Sequence, residues 1–329
     1  MKHVRGARIA GTGSYAPPKV LTNLELEHMV ETSDDWIVSR TGIRERHLAG
    51  DGVASSDLAA EAAGKALAEA GMSPEEVQLV VVATATPDRL FPSTACSLQE
   101  KLGTANAAAF DLSAACSGFV YGLSVASGLI GIGAVDRILL VGVETLSKLV
   151  DWEDRNTCVL FGDAAGAAVV VPCEHGRGVL ATSMGSDGCL GNLLELPAGG
   201  SLHPATQKTI DDRMHYIKMK GNEVFKCAVR SMETVARDAM DKAGVSADDL
   251  ALLIPHQANL RIIEATAKRL GIGMDRVFVN VHKYGNTSSA SVPLALDEAR
   301  KAGRVKDGDL VGLVAFGAGF TWGAAVLRW

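Results

Sequence analysis

Three residues of this sequence have the type and setting to act on a carbonyl carbon. Cys116 lies in 110-FDLSAACSGFVYGLSVASGLI, where a short strand pattern gives way to small residues and then to an apolar helix pattern. A cysteine at such a helix start meets orphan backbone N–H groups and the positive end of the helix dipole, and both favour thiolate over thiol. The expectation is a value below the free one of about 8.5. Ala114, Ala115, Ser117 and Gly118 leave room for a substrate carbonyl and let a backbone N–H point at it, as an activated nucleophile with half an oxyanion hole requires. His256 follows the apolar run Leu250–Pro255, and Asn286 sits beside Gly285 at another strand-to-helix turn, 279-VNVHKYGNTSSASVPLALDEA. Taken singly, each has a plainer reading: an inert buried thiol, a structural histidine, a turn asparagine.

What would bring them together is an internal repeat. The segment AGMSPEEV at 70–77 returns as AGVSADDL at 243–250, a separation of 173 residues, and DRILLVGVE at 136 returns as DLVGLVAFG at 309 with the same separation. GAAVVV at 166 has a later counterpart in GAAVLR at 323. Each copy of the first segment ends a helical pattern at a glycine and leads through a turn into an apolar strand. The reading is α/β, with two duplicated halves, 1–174 and 175–329, dividing near Cys173–Gly178. Mixed, largely buried sheets should be covered by helices such as 57–70 and 222–243. Cys116 and Asn286, 170 residues apart, then fall on matching turns that face each other across the two halves.

Composition bounds the partners. The chain of 329 residues is 47% hydrophobic and 21% charged, with 35 glycines and few aromatics, so its interior is built from Ala, Val, Leu and Ile with backbones in close approach. A net charge of −6 argues against wrapping nucleic acid. Six dilute cysteines form no C-x-x-C pair, which disfavours zinc and disulfide frameworks and points to a reducing, cytoplasmic setting. MKHVRGARIAGTGSYAPP lacks a secretory apolar stretch, and no run is long enough to span a membrane. The expectation is a soluble, unprocessed protein without membrane or nucleic-acid partners and without a bound metal.

The motifs DLSAACSGF, PHQANLRII, YGNTSSAS and AFGAGFTWG, with TSDDWIVSRTGIRER near the start and LFGDAAGAA in the middle, resemble those of the β-ketoacyl-acyl carrier protein synthase III family of thiolase-like condensing enzymes. The resemblance runs over essentially the whole chain. It implies a five-layer αβαβα fold, a homodimer, and an initiating condensation of acyl-CoA, acetyl-CoA first among them, with malonyl-acyl carrier protein. It implies no cofactor, since acyl-CoA is a substrate. Cys116 would take the acyl group, while His256 and Asn286 would hydrogen-bond the enolate formed as carbon dioxide leaves. The N–H groups of Cys116 and Ala318 would form the oxyanion hole. The family often has three consecutive glycines where this chain has Gly317-Ala318-Gly319, so a positive φ at position 318 would strain the alanine.

Trp36 and Arg40 share one face of a helix beginning near Ser33, and a surface pair is their plainer reading. By resemblance Trp36 and Arg155 sandwich the CoA adenine, Arg40 meets phosphate, and Thr32, Gly221 and Asn259 line the tunnel. Phe161 and Phe316 would wall the acyl pocket, and Phe91 would cap that of a neighbouring subunit. Lys226, Arg261, Lys268 and Arg269 form a basic cluster near the entrance that would steer an acidic partner, by resemblance acyl carrier protein. Three other readings stay open at this stage: a starter condensing enzyme or O-acyltransferase of secondary metabolism, a Cys-His thioester hydrolase, and a non-catalytic thioester binder. Thiolase itself would want a second catalytic cysteine, and Cys227 on a helix is poorly placed for it. A hydroxymethylglutaryl-type synthase would want a glutamate, for which Glu144 is the nearest candidate.

Overall fold

Helices in the two copies stop the same way. Gly71 (φ 62°) and Gly244 (φ 69°) take the left-handed conformation after Ala70 and Ala243, and each N–H closes the last helical turn. The computed structural model describes residues 5–329. Met1–Val4, which open the first half and the N-terminal segment read above, lie outside the described residues.

The first sheet is formed by β1 (Gly6–Tyr15), β2 (Leu79–Ala83), β3 (Ala108–Leu112), β4 (Ile138–Thr145) and β5 (Asp163–Cys173), in the order β1-β5-β4-β2-β3. Strands β2, β3 and β4 run parallel, β5 pairs antiparallel with β4, and β1 pairs antiparallel with β5. The second sheet contains β6 (Gly178–Ser186), β7 (Leu252–Pro255), β8 (Leu310–Gly317) and β9 (Thr321–Arg328), in the order β7-β8-β9-β6, with only β7 and β8 parallel. The same pattern is thus used twice, with β2, β4, β5 and β1 answered by β7, β8, β9 and β6. The counterpart of β3 shrinks to a single bridge between Val277 and Leu253.

Seven helices position the rest: α1 (Asp34–Thr41), α2 (Ser55–Ala70), α3 (Thr94–Leu102), α4 (Gly118–Gly131), α5 (Gly221–Ala243), α6 (Leu260–Leu270) and α7 (Ser291–Lys301). Helices α2 and α3 cover the outer face of the first sheet, and α5, backed by α6, covers the outer face of the second. Helices α4 and α7 lie between the sheets and touch both. This is the five-layer αβαβα order. Helix α4 is apolar nearly all round because it is covered on both sides, whereas α5 and α6 are strongly amphipathic because one face meets solvent.

Small residues set the spacing. The stripe Ala59, Ala62, Ala63 and Ala66 of α2 is fully buried on β1, where a Cβ at Gly13 would stand 2.2 Å from the Ala62 carbonyl oxygen. At the centre, the turn before α7 presses on β4, and a Cβ at Gly142 would lie 2.3 Å from the Ser289 carbonyl oxygen. These contacts are backbone on backbone, so no side chain can yield. Gly142→Ala should therefore destabilise the protein by roughly 1–3 kcal/mol, as overpacking does. The check is a lower urea midpoint with unchanged slope; a midpoint equal to that of the parent would show that the turn moves freely.

Candidate active site

After β3 the chain turns through Ser113 and Ala114, takes a left-handed step at Ala115 (φ 45°), makes a 3₁₀ turn over Ala115–Ser117 and enters α4. The Ser117 and Gly118 N–H groups donate to the Ala114 and Ala115 carbonyls. Among the described residues neither the Cys116 nor the Ala318 N–H has a backbone acceptor. Gly317, at the end of β8, closes over the turn, and a Cβ there would lie 2.6 Å from the Cys116 nitrogen. The Cys116 side chain is buried.

That burial reverses the expectation for the thiol. Desolvation pushes Cys116 up to about 12, and the charge of nearby Glu144 adds to the rise. The Ser288 hydroxyl and the cysteine's own N–H pull the other way without overcoming it. Burial therefore favours the thiol over the thiolate at rest.

The matching turn in the second half corrects the register read from sequence. It is the 3₁₀ turn Ser288–Ala290 followed by α7, with Ser288 (φ 47°) taking the left-handed step. Ser288 therefore answers Ala115, and Ser289 answers Cys116, at the 173-residue separation of the repeat. Asn286 stands three residues earlier. It reaches the site because Gly285 (φ 65°) turns the chain and because its backbone pairs with Leu160 (N···O 2.8 Å) and Gly162 (3.0 Å). Its Oδ1 accepts from the Ser288 N–H at 2.9 Å, so the amide N–H groups are left to face the cavity.

His256 follows Pro255 and is tied to β8 by its N–H, 2.7 Å from the Val314 carbonyl oxygen. Its Nδ1 is 2.6 Å from Ser291 Oγ, which itself accepts from the Gln257 N–H at 3.4 Å. The hydroxyl proton then points to Nδ1, which assigns the ring proton to Nε2. Burial lowers His256 to about 3, so the imidazole is neutral.

Cys116, His256, Asn286 and Phe316 share one cavity of about 460 Å³, whose outer end is formed by exposed Arg40, Asn222 and Arg261 with Trp36. Gly221 and Asn259 line the same cavity; Asn259 also caps α6 by accepting from the Ile262 N–H. Behind Cys116 a second recess of about 110 Å³ is walled by Leu146, Leu149, Phe161, Leu196 and Ile217, with Ser288 and Ala318 at its edge. Ala318 has an ordinary negative φ, and the left-handed burden falls on Gly319 (φ 134°), so the alanine is unstrained. Met219, Asn222, Phe225, Leu196 and Ile217 line these spaces without any motif in the sequence marking them.

Other expected residues stand elsewhere. Arg155 is stacked on Trp36 itself, its guanidinium 5.1 Å from the ring centroid, and Arg40 covers the ring at 4.6 Å. No slot for an adenine is open between Trp36 and Arg155; the Arg155 guanidinium, held by the Glu31 carbonyl, would have to swing aside. Thr32 does not line the cavity, and its buried hydroxyl has no partner. Phe91 is 84% exposed and far from lining either space of its own chain. Lys226, Arg261 and Lys268 are exposed, and Lys268 follows Arg261 by seven residues, on the same face of α6. Arg269 is not a free cation: it is held by Glu233 of α5 at 2.6 Å, and its carbonyl accepts from Arg237. It clamps two helices, which takes it out of the basic cluster.

The sequence matches the family models for 3-oxoacyl-[acyl-carrier-protein (ACP)] synthase III over residues 110–188 and for the C-terminal part of that enzyme over residues 240–329. It is 55% identical over 321 residues to the β-ketoacyl-[acyl-carrier-protein] synthase III of Desulfitobacterium hafniense, covering 98% of this chain and 97% of the relative. The crystal structure of 3-oxoacyl-[acyl-carrier-protein] synthase III from Aquifex aeolicus superposes with a TM-score of 0.91 at 51% identity, covering 98% of this chain and all of that one. The priming β-ketosynthase of the R1128 polyketide pathway superposes with a TM-score of 0.92 at 36% identity, covering 100% of this chain and 97% of that one.

The neutral state of His256 is open to direct measurement. Because desolvation lowers its value to about 3, the ring stays uncharged at every pH above that. Its NMR ring-proton shift, assigned by loss of the signal in His256→Ala, should be flat from pH 5 to 9. A titration near the free value of about 6.5 would show that the site is wetter than its geometry indicates.

Proposed function

The chain belongs to the β-ketoacyl-[acyl-carrier-protein] synthase III family, and from that premise we propose how its own residues carry the reaction. The enzyme is an acyltransferase that initiates type II fatty-acid synthesis by condensing acyl-CoA with malonyl-acyl carrier protein. The observation that carries the assignment of roles is the meeting, in one cavity, of a buried cysteine with two neutral side-chain donors.

In our reading, acyl-CoA enters the larger cavity and presents its thioester to Cys116. The carbonyl oxygen lies between the free N–H groups of Cys116 and Ala318, and the acyl chain occupies the apolar recess behind. A recess this small favours a short acyl group such as acetyl. Coenzyme A leaves along the path lined by Asn259, Gly221, Arg40 and Trp36, with Arg155 moving to admit the adenine and Thr32 at the rim. Malonyl-acyl carrier protein follows the same path, steered by Arg261, Lys268 and Lys226.

The malonyl thioester carbonyl then accepts from His256 Nε2–H and the Asn286 amide. Losing carbon dioxide requires no base, only donors for the enolate oxygen. A neutral histidine gives one without drawing the leaving carboxylate into an ion pair. The enolate carbon attacks the acyl-Cys116 carbonyl and expels the cysteine sulfur. No cofactor is needed for these steps, and the protein would act in the cytoplasm, its cysteines unpaired as they stand here.

We propose a homodimer as well. Strand β3 is an edge with no neighbour on its outer side, it bears half-exposed Phe110, and Leu90 and Phe91 project nearby at 78% and 84% exposure. Phe91 would cap the partner's acyl recess. Among the described residues no helix is long and apolar enough to cross a membrane.

Incubation with acetyl-CoA should add one acetyl group by intact mass, and Cys116→Ala should add none. His256→Ala and Asn286→Ala should still acylate, while malonyl-acyl carrier protein turnover falls by about 10²–10³-fold. An adduct on another residue, or rapid hydrolysis of acyl-Cys116, would overturn these roles. Phe91→Ala should widen the range of acyl-CoA lengths accepted in competition assays; an unchanged length profile would place the cap elsewhere.

A further inference from the structure

The route by which the Cys116 proton leaves is not supplied by the groups described so far. A thiol attacking a thioester must lose its proton, and Cys116 is a thiol at rest. His256 shares its cavity, but that ring already carries its proton on Nε2, and its Nδ1 is occupied by Ser291. The other titratable group facing Cys116 is Glu144, at the end of β4.

Glu144 is fully buried and paired with no cation among the described residues. Everything around its carboxylate donates to it: the Ser289 and Thr86 hydroxyls at 2.8 Å, the Ala85 N–H at 3.1 Å, and the Ser288 hydroxyl at 3.0 Å. Ser288 is the one donor that also faces the Cys116 thiol, and both border the smaller recess. Its backbone takes the left-handed step of the turn, φ 47°, and its hydroxyl reaches the carboxylate from there. A buried carboxylate without a counter-charge is costly, and a proton-accepting duty would account for its being kept there.

We propose that Ser288 and Glu144 form the proton route of the nucleophile, with Ser288 beside the reacting sulfur in the smaller recess and Glu144 acting through it. This rests on the acyl-transfer reading above. As the Cys116 sulfur bonds to the acyl carbon, the S–H proton passes to Ser288 Oγ, and the proton of Ser288 passes to Glu144 Oε1. Coenzyme A departs as its thiolate and takes a proton from solvent at the exposed outer end of the cavity. The neutral Glu144 keeps the proton while the acyl-enzyme waits. When the enolate expels the cysteine sulfur, the proton returns through Ser288 and restores the thiol. The buried site therefore never holds two anions on Cys116 and Glu144 together, which is what direct ionisation of the thiol would require.

Single-turnover acylation by acetyl-CoA, followed by quenched intact mass from pH 6 to 10, tests this on Glu144→Gln and Ser288→Gly. The glycine keeps both the left-handed turn and the N–H that Asn286 accepts, so a folding defect confined to the glutamine variant leaves the test intact. Acylation should fall by about 100-fold or more in both, as loss of a general base does. The wild-type rate should vary little above neutral pH, whereas in the variants it should climb about tenfold per pH unit, following the thiolate fraction. Decarboxylation of malonyl-acyl carrier protein by the same variants should stay within about threefold of wild type. Acylation within threefold of wild type, or both half-reactions falling together with an unchanged pH slope, would overturn the route. A wild-type enzyme that takes no acyl group on Cys116 would instead overturn the functional reading beneath it.

Discussion

Two short turns pressed together at the centre of the molecule govern the rest of the structure. One precedes α4 and carries Cys116; the other precedes α7 and carries Ser288 and Ser289. The strands that flank them come so close that backbone meets backbone: Gly142 against the Ser289 carbonyl and Gly317 against the Cys116 nitrogen. Both turns begin with a non-glycine residue in the left-handed region, Ala115 and Ser288, a conformation that persists only where its surroundings hold it. The glycine and alanine richness of the chain follows from this closeness. Larger residues would separate the halves and open the turns to water.

The repeat accounts for the two turns, and the residues they carry set them apart. Cys116 and Ser289 are equivalents, as are Gly317 and Glu144 at the ends of β8 and β4. Where Gly317 closes on Cys116 without a side chain, Glu144 stands at the corresponding place before Ser289 and accepts its hydroxyl. Ser289 also donates to the Ala83 carbonyl at 2.9 Å, so it binds the halves together. One copy of the turn became a reactive pocket and the other a polar bolt behind it.

Much of this was legible in the sequence, and the limits have physical causes. The repeat at 70 and 243, the helix-stop glycines and the small residues around Cys116 are local signals, and they pointed to a strand pattern used twice and to Cys116 as the candidate nucleophile. Asn286 was placed in one cavity with Cys116 by an inexact register, because sequence similarity does not record which residue takes the left-handed step. The thiol was expected to ionise because the helix start is local and visible, whereas the desolvation that outweighs it comes from remote segments. Arg269 looked like its neighbour Lys268, since nothing in the sequence reveals Glu233 across from it. Arg155 and Trp36 were read as two sides of a slot, but the guanidinium and the indole attract and stack on each other. Glu144 was noticed for a role in which it would act directly on substrate; its four donors come from two separate segments, 85–86 and 288–289, that only the fold brings to it.

The same burial acts oppositely on the two titratable groups of the cavity. It keeps His256 neutral, which suits a donor to an enolate formed by loss of a carboxylate, because a cation would hold the carboxylate in place. It also raises the Cys116 thiol, which hinders a nucleophile. An exposed cysteine would ionise more easily, but the site would then be wet, and an acyl-enzyme waiting for its second substrate would be open to hydrolysis. A dry cavity protects that intermediate and leaves the enzyme with a thiol to deprotonate. The side chains that face Cys116 from the second half, on a turn fixed by backbone contact, are where such a cavity has to find its acceptor.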